Sequence, residues 1–211
     1  MKLKDIRREF QKGSLTRKSV RTSPFEQFNL WMDDAKNTDE ILDPNAFAIS
    51  SISENGRPHS RMVLLKEFSE SGFVFFTNYE SNKGMEIENN PYVSFLFYWE
   101  KLERQIRIEG KLERLSDVES DEYFNSRPYS SRIGAWASAQ SRKINNRAEL
   151  EKKVAKYIIT YPLNPPRPEH WGGFNLVPDY FEFWQGRSSR IHDRIIYELN
   201  NSSWDISRLS P

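Results

Sequence analysis

The chain has 211 residues, of which 14% are aromatic; the length allows one well-buried domain, and the aromatic content favours a sheet-rich core. A formal net charge of +1 gives no overall field that attracts nucleic acid or an anionic membrane, so we expect neither as a partner. Cysteine is absent and the three histidines are far apart, which argues against disulfides, thiolate chemistry and a catalytic metal and fits a cytoplasmic protein.

The first 22 residues are basic, and such a segment is typical of a flexible arm. Residues 1–21 contain eight Lys or Arg side chains against two acidic ones. Ser23 and Pro24 then form an N-cap and first-turn pair, and the apolar spacing that follows predicts a helix over 24–36. Because no linker or repeat follows, we predict that residues 23–211 form a single domain.

A hairpin is predicted around Asn55-Gly56, with a returning strand over 57–68. If that strand is continuous, its period of two places Arg61 and Lys66 on opposite faces. One ligand then meets both side chains only by wrapping an edge of the sheet or by lying between subunits.

The middle of the chain alternates strands with short helices. Strands are predicted over 46–53, 72–78, 92–99 and 102–115, and helices start at Ser81, Ser116, Ser130 and Asn146. Gln105 projects from the polar side of its strand, where it can reach a ligand. Tyr123 and Arg127 lie four apart and therefore share a helix face. The last helix carries an apolar stripe that favours a place in the core: Leu150, Val154, Tyr157 and Ile158.

The C-terminal part returns to strands, predicted over 174–177, 180–185, 190–199 and 204–206. If the third begins at Arg190, then Arg190, His192 and Arg194 share one face. Arg donors and a His that titrates near neutral pH suit an anionic ligand such as a phosphate. The alternative is a solvated edge strand whose charges discourage aggregation. The order of elements indicates a β-rich α+β protein, built as an antiparallel barrel or sheet with peripheral helices.

Common catalytic motifs are missing from the sequence, since it contains no GxSxG, GxGxxG or GxxxxGK[ST] pattern. What it offers instead is a dispersed set of phosphate-type donors combined with aromatic residues near strand ends: Arg61, Lys66, Lys83, Arg127, Ser131, Arg190 and Arg194. Such a set suits a large planar phosphorylated ligand, for example an aromatic cofactor. The spacing of these residues alone does not identify the reaction.

Several short motifs occur in order: RMVLLK at 61–66, ERQ at 103–105, EYFNSRP at 122–128, IGAWAS at 133–138, WGGF at 171–174, and FEFWQG with RIHDR between 181 and 194. As an ordered set they resemble the pyridoxamine 5'-phosphate oxidase family over nearly the whole chain. The resemblance implies an FMN-binding split β-barrel with peripheral helices. It also implies a homodimer with FMN at the subunit interface.

The resemblance further implies an activity and its residues. The family oxidises pyridoxamine or pyridoxine 5'-phosphate to pyridoxal 5'-phosphate by hydride transfer to flavin, and O2 reoxidises the flavin to give H2O2. FMN contacts are implied for Arg61, Met62, Val63, Leu64, Leu65, Lys66, Phe76, Thr77, Lys83, Gln105, Gln140, Ser141, Trp184 and Arg194. Substrate contacts are implied for Arg7, Lys66, Tyr123, Arg127, Ser131, Arg190 and His192, with Arg190 and His192 as the catalytic pair.

This sequence departs from the family pattern in three places. Phe76-Thr77 replaces the usual Tyr-Thr, Asn82-Lys83 replaces Arg-Lys, and the N-terminal RxxY ends in Phe10. Loss of a cation at Asn82 predicts weaker retention of FMN. Two other readings stay open: a split-barrel flavin oxidoreductase with another substrate, and a pyridoxal-phosphate binding protein without flavin chemistry.

Overall fold

The computed structural model describes residues 3–5 and 8–211. The helices in these ranges are α1 Pro24–Lys36, α2 Asn82–Asn89, α3 Asp117–Ser126, α4 Tyr129–Ala137 and α5 Arg147–Thr160. The strands are β1 Ala46–Ile52, β2 Pro58–Leu64, β3 Glu67–Ser69, β4 Gly72–Asn78, β5 Tyr92–Trp99, β6 Arg104–Arg114, β7 Trp171–Gln185, β8 Asp193–Asn200 and β9 Ser203–Leu209.

The strands form one antiparallel sheet with the order β2-β1-β5-β6-β7-β4-β3. The long strand β7 pairs with β6 along its length, with β4 at its beginning and with β8 at its end. The register of β6 against β7 shifts between Glu109 and Gly110, and such a bulge bends a strand and increases its twist. The sheet therefore curls around its apolar face.

Phenylalanine fills the inside of the curled sheet. Phe47 on β1 lies 4.2 Å from Phe95 and 5.1 Å from Phe97, measured between ring centroids. Helix α1 covers one end of this core, where Phe28 is fully buried and lies 4.9 Å from Phe73. Burying such a side chain stabilises the fold by about 1.5–3 kcal/mol, so the high aromatic content serves the core.

Several local predictions are confirmed. Helix α1 begins and ends as its apolar spacing predicts, and Ser23 accepts a hydrogen bond from the Glu26 amide as its N-cap. Ser81 caps α2, and Ser116 forms a capping box with Glu119 at the start of α3. These signals depend only on neighbours in sequence, which is why they can be read locally.

Two strand boundaries differ from the predictions. The strand after the hairpin does not run through to residue 68, because it ends at Leu64 and β3 begins at Glu67. At the break, the Leu65 amide donates to the Asn45 carbonyl and the Lys66 amide to the Val74 carbonyl. The two strands predicted between 174 and 185 are one strand, β7, because the bulge lets pairing continue past Pro178.

The prediction that Arg190, His192 and Arg194 share one strand face is wrong. Residues 188–190 form a 3-10 turn, and β8 begins only at Asp193. Ser189 and Arg190 have φ values of 56° and 62°, a left-handed conformation that interrupts an extended chain. Arg190 therefore lies in an exposed turn ahead of the strand.

The core position predicted for the apolar stripe of the last helix is also wrong. No residue of α5 is buried, and Ile158 is 45% exposed. The helix lies on α4 at the periphery, with Tyr157 5.5 Å from the ring of Trp136. Amphipathic spacing shows that a helix has one apolar face but does not show how completely that face is covered.

Residues 8–22 pack against the strand ends. Leu15 is 4% exposed, and its amide donates to Asp193 at 3.0 Å. The amides of Gln11 and Lys12 donate to the carboxylate of Glu103 at 2.7 and 2.9 Å. Flexibility of this arm, and the domain boundary after it, stay predictions.

We expect Phe28→Ala to lower the free energy of unfolding by about 3–5 kcal/mol, because it leaves a cavity among Phe68, Phe73 and Phe97. Leu30→Ala on the same helix, at a side chain 39% exposed, is the control and should cost less than about 1 kcal/mol. Urea denaturation followed by far-UV circular dichroism measures both. Equal losses for the two variants would contradict the placement of Phe28 at the centre of the core.

Candidate functional site

A cleft of about 1230 Å³ lies between the edge strand β2, the end of β4 and the helices α2, α3 and α4. It collects most of the side chains that the sequence points to. These are Arg61, Met62, Val63, Leu64, Lys66, Phe76, Thr77, Lys83, Tyr123, Arg127, Ser131, Gln140 and Ser141.

The break after β2 brings Arg61 and Lys66 into the same cleft. Because the chain leaves the strand at Leu64, the alternation of faces no longer separates the two side chains, and both line the cleft of a single chain. The expectation that one ligand meets both side chains only at a sheet edge or between subunits assumed a continuous strand, and that strand is broken. Leu65 is not at the cleft: its side chain is 5% exposed within the core, and its carbonyl accepts from Nδ2 of Asn45 at 2.8 Å.

Lys83 is held at the start of α2, directly after β4. Its Nζ donates to Oγ1 of Thr77 and, at 3.2 Å, to Oε1 of Gln140. Gly84 allows this helix start to approach the chain closely, since a Cβ there would lie 2.1 Å from the Tyr79 carbonyl. Burial, and then the positive charge of Arg61, lower the pKa of Lys83 to about 8. The ammonium is thus poorly compensated, as expected for a group that receives an anion.

Arg61 is fixed by a buried carboxylate that the sequence did not single out. Oε2 of Glu86 accepts from Nη2 of Arg61 at 3.1 Å and from Oγ of Ser51 at 2.5 Å. Its Oε1 lies 2.5 Å from Nδ1 of His59. Burial opposes the charge of Glu86, but hydrogen bonds from Ser51, His59 and Arg61 outweigh it and lower the pKa. His59, which the sequence did not single out, also lines the cleft.

Aromatic rings and an arginine form the opposite wall. Phe76 stacks on Tyr123 with centroids 3.9 Å apart, and the guanidinium of Arg127 lies 4.4 Å from the Trp171 ring. Nη1 of Arg127 is buried without a hydrogen-bond partner among the described residues, and burial lowers the pKa of this side chain. Because Arg127 places a positive charge at the cleft, the wall is suited to an anionic acceptor. Ser131, in the first turn of α4, also lines the cleft.

A second set of predicted residues forms a row on the outside of the sheet. Gln105, Trp184 and Arg194 lie directly opposite one another on β6, β7 and β8, so their side chains share a face. Their neighbours Phe183 and Ile195 point inward and are fully buried. We call Gln105, Trp184 and Arg194 the outer row.

The turn after β7 places His192 beside the outer row. The rings of His192 and Trp184 lie 4.7 Å apart. The Arg187 amide donates to Nδ1 of His192 at 3.1 Å, which leaves the proton of a neutral ring on Nε2. The ring of Phe10 from the arm packs edge-on against both, at 5.7 Å from Trp184 and 5.6 Å from His192.

Arg194 is anchored by a buried acid. Its Nε donates to Glu182 at 2.6 Å, and its Nη1 donates to the Ser210 carbonyl at 3.0 Å. Burial alone would raise the pKa of Glu182, but hydrogen bonds from Arg194 and Arg107 lower it. Arg194 is therefore held in place on the outer row.

The structure thus divides the predicted site into two parts. Within one chain, the cleft is not lined by Gln105, Trp184, Arg190, His192 or Arg194. Arg7, the remaining predicted substrate contact, lies outside the described residues.

Comparison with known protein families identifies the chain. Residues 34–161 match the model of the pyridoxamine 5'-phosphate oxidase family, and residues 171–211 match the pyridoxine 5'-phosphate oxidase C-terminal dimerisation region. The chain belongs to the pyridoxamine 5'-phosphate oxidase family. The second match supports a homodimer.

Relatives in this family extend over the full chain. The chain is 51% identical over 211 residues to pyridoxine/pyridoxamine 5'-phosphate oxidase of Neisseria gonorrhoeae, covering 100% of both chains. It is 50% identical over 212 residues to the Bordetella pertussis protein of the same name, again with 100% coverage of each. The resemblance inferred from the ordered motifs is thereby confirmed.

Solved structures confirm the split β-barrel fold predicted from the resemblance. PhzG from Burkholderia lata, crystallised with tetrahydrophenazine-1-carboxylic acid, superposes with a TM-score of 0.86 at 28% identity and covers 93% of this chain and 98% of its own. A pyridoxamine 5'-phosphate oxidase-related, FMN binding protein from Nostoc punctiforme gives a TM-score of 0.72 at 16% identity, with coverages of 91% and 100%.

Among residues 3–5 and 8–211, no helix has the length and apolar character needed to cross a membrane. The cytoplasmic location stays a prediction from composition.

Lys83 should titrate far below the other lysines. After reductive methylation with ¹³C-formaldehyde, we expect its NMR signal, assigned with Lys83→Arg, to shift around pH 8 rather than near the ordinary value of 10.5. Arg61→Gln should move this midpoint upward, because the charge of Arg61 contributes to the lowering. A Lys83 signal that titrates together with the exposed lysines would contradict the buried, uncompensated ammonium.

Proposed function

We propose that the chain is an FMN-dependent oxidase that converts pyridoxamine or pyridoxine 5'-phosphate into pyridoxal 5'-phosphate, with O2 as the electron acceptor and H2O2 as a product. The observation that carries the proposal is the cleft itself. It brings together the donors that match the family pattern, among them Arg61, Lys83 and Arg127.

The donor set of the cleft fits the phosphate and the ring system of FMN. Arg61 and the buried Lys83 lie on one wall, and cations of this kind favour a phosphate by charge-assisted hydrogen bonds. Gln140 and Ser141 add neutral polar groups to the same cleft. When bound, FMN supplies the hydride acceptor that the side chains of the protein lack.

The other wall fits the phosphate monoester of the substrate. Lys66, Tyr123, Arg127 and Ser131 all line the cleft there. The guanidinium of Arg127, which lines the cleft, can bind a phosphate by charge-assisted hydrogen bonds. We therefore assign Arg127 as the main phosphate contact, with Lys66, Tyr123 and Ser131 as its partners.

The outer row and its turn belong to the same site if they come from a second copy of the chain. Trp184, Arg190, His192 and Arg194 all fall within residues 171–211, the part that matches a dimerisation region. In a symmetric dimer, the cleft of one copy then faces the outer row of the other, and FMN lies between them. Gln105, opposite Trp184 in register, completes this set.

Arg190 and His192 then act by positioning. Arg190 lies in the exposed turn with a left-handed backbone, and His192 is fixed by the Arg187 amide and the Trp184 ring. Together they would hold the pyridine ring of the substrate against the flavin so that the C4' hydrogen faces the hydride acceptor. Correct placement of two reacting groups can lower a barrier by several kcal/mol.

The family departures are compatible with this function. Asn82 lines the cleft without adding a charge, so the phosphate of FMN would depend on Arg61 and Lys83. Phe76 lacks a hydroxyl but stacks on Tyr123, which holds the tyrosine in place. We keep weaker FMN retention as the expected consequence of Asn82.

Anaerobic reduction tests the proposal. When pyridoxine 5'-phosphate is added to the FMN-loaded protein without oxygen, the visible flavin absorbance should bleach, and air should restore it as pyridoxal 5'-phosphate appears. A flavin that stays oxidised would point to another substrate, as for a split-barrel oxidoreductase of different specificity. Failure to bind flavin would favour a pyridoxal-phosphate binding protein.

Arg127→Gln tests the assigned phosphate contact. We expect the KM for pyridoxine 5'-phosphate to rise about 30-fold to 150-fold, the effect of losing a charge-assisted hydrogen bond of about 2–3 kcal/mol. Arg147→Gln, at a side chain that is 90% exposed on α5, is the control and should leave KM within about twofold. An unchanged KM in Arg127→Gln would place the phosphate elsewhere.

A further inference from the structure

Glu86 occupies an unusual position behind the cleft. Its side chain is 8% exposed, and it lies on α2 three residues after Lys83, so the two side chains share one helix face. Glu86 does not line the cleft, whereas both cations next to it do: Arg61 and Lys83.

The carboxylate of Glu86 joins α2 to two strands of the sheet. Ser51 on β1 and Arg61 on β2 both bond to Oε2, at 2.5 and 3.1 Å. His59 on β2 occupies the other oxygen through Nδ1 at 2.5 Å. With both oxygens engaged, the carboxylate cannot rotate away from Arg61 without losing a hydrogen bond in a buried site.

We propose that Glu86 is a positioning residue for the flavin phosphate: oriented by Ser51 and His59, it holds the guanidinium of Arg61 beside Lys83 so that both cations meet one phosphate group. This inference rests on the proposed function, because it takes the anion to be the phosphate of FMN.

Electrostatics explain why such a residue is needed. Arg61 and Lys83 repel each other, since the charge of Arg61 lowers the pKa of Lys83 while the charge of Glu86 raises it. Arg61 is the longer and more exposed of the two cations. Without a fixed counter-charge it would turn toward solvent, where charges are better solvated. Glu86 supplies that counter-charge from behind the cleft.

The hydrogen bonds of Arg61 leave it able to bind a ligand. Nη1 donates to Ser51 at 2.6 Å and to the Ile49 carbonyl at 3.5 Å, and Nη2 donates to Glu86. A guanidinium has five N–H donors in a fixed fork, so donors remain for an anion in the cleft. The planar group is therefore preorganised, which reduces the entropy lost when a phosphate binds.

The test compares two flavins that differ only in the phosphate. The full-length chain, freed of flavin, is titrated with FMN and with riboflavin, and quenching of flavin fluorescence gives each Kd. We expect Glu86→Gln to weaken FMN binding about tenfold, the size of one hydrogen bond to a charged group, and to leave riboflavin binding within about twofold. Glu88→Gln is the control. Glu88 lies on the same helix as Glu86 and forms an exposed ion pair with Arg114 of β6, so its replacement should change neither the Kd for FMN nor the Kd for riboflavin.

A double-mutant comparison tests whether Glu86 affects FMN binding through Arg61. In an Arg61→Ala background, Glu86→Gln should cause no further loss of FMN affinity, because the residue through which Glu86 acts is already gone. If Glu86→Gln does not fold, His59→Gln takes its place, because His59 is 46% exposed and tolerates replacement better. This variant should weaken FMN binding about threefold, as expected for a partly exposed hydrogen bond, and should leave riboflavin binding unchanged.

Each outcome separates the two proposals. If the unaltered chain binds neither flavin, the proposed function fails. If it binds FMN, but the folded variant loses FMN and riboflavin affinity equally, or loses neither, the positioning role of Glu86 is overturned.

Discussion

The cleft depends on holding positive groups where water reaches them poorly. Lys83 and Arg127 both have a lowered pKa because of burial, and the charge of Arg61 adds to the effect on Lys83. Cations in such places are unfavourable until an anion neutralises them. The fold brings them to the cleft from three directions: the end of β2, the start of α2, and the corner between α3 and α4. The same cations therefore lower the stability of the apoprotein and favour the binding of a phosphate.

The same sheet separates the cleft from the outer row. Strand alternation buries Phe183 and Ile195 and therefore forces Trp184 and Arg194 to the outside, away from the cleft of their own chain. In the proposed dimer, two-fold symmetry would pair each cleft with the outer row of the other copy and would give two equivalent sites for one interface.

Sequence reasoning found what depends on near neighbours or on ordered motifs. The caps at Ser23 and Ser81 follow from local hydrogen bonding, and the ordered motifs led to the family. It missed features set by distant contacts. The break at Leu65 requires Asn45 and Val74 as partners, and the left-handed backbone at Arg190, which keeps this residue out of β8, carries no glycine signal. Glu86 and His59 lie 27 residues apart, so their pairing can be seen only after β2 and α2 come together.

The most direct test of the account is whether cleft and outer row act across two chains. Arg127→Gln damages only the cleft, and Arg194→Gln damages only the outer row. Heterodimers of the two variants, purified with different tags, would contain one intact and one doubly altered site. The account predicts that they recover about half of the wild-type activity, while each parent homodimer stays poorly active. A heterodimer no more active than its parents would show that both residues serve a site within one chain.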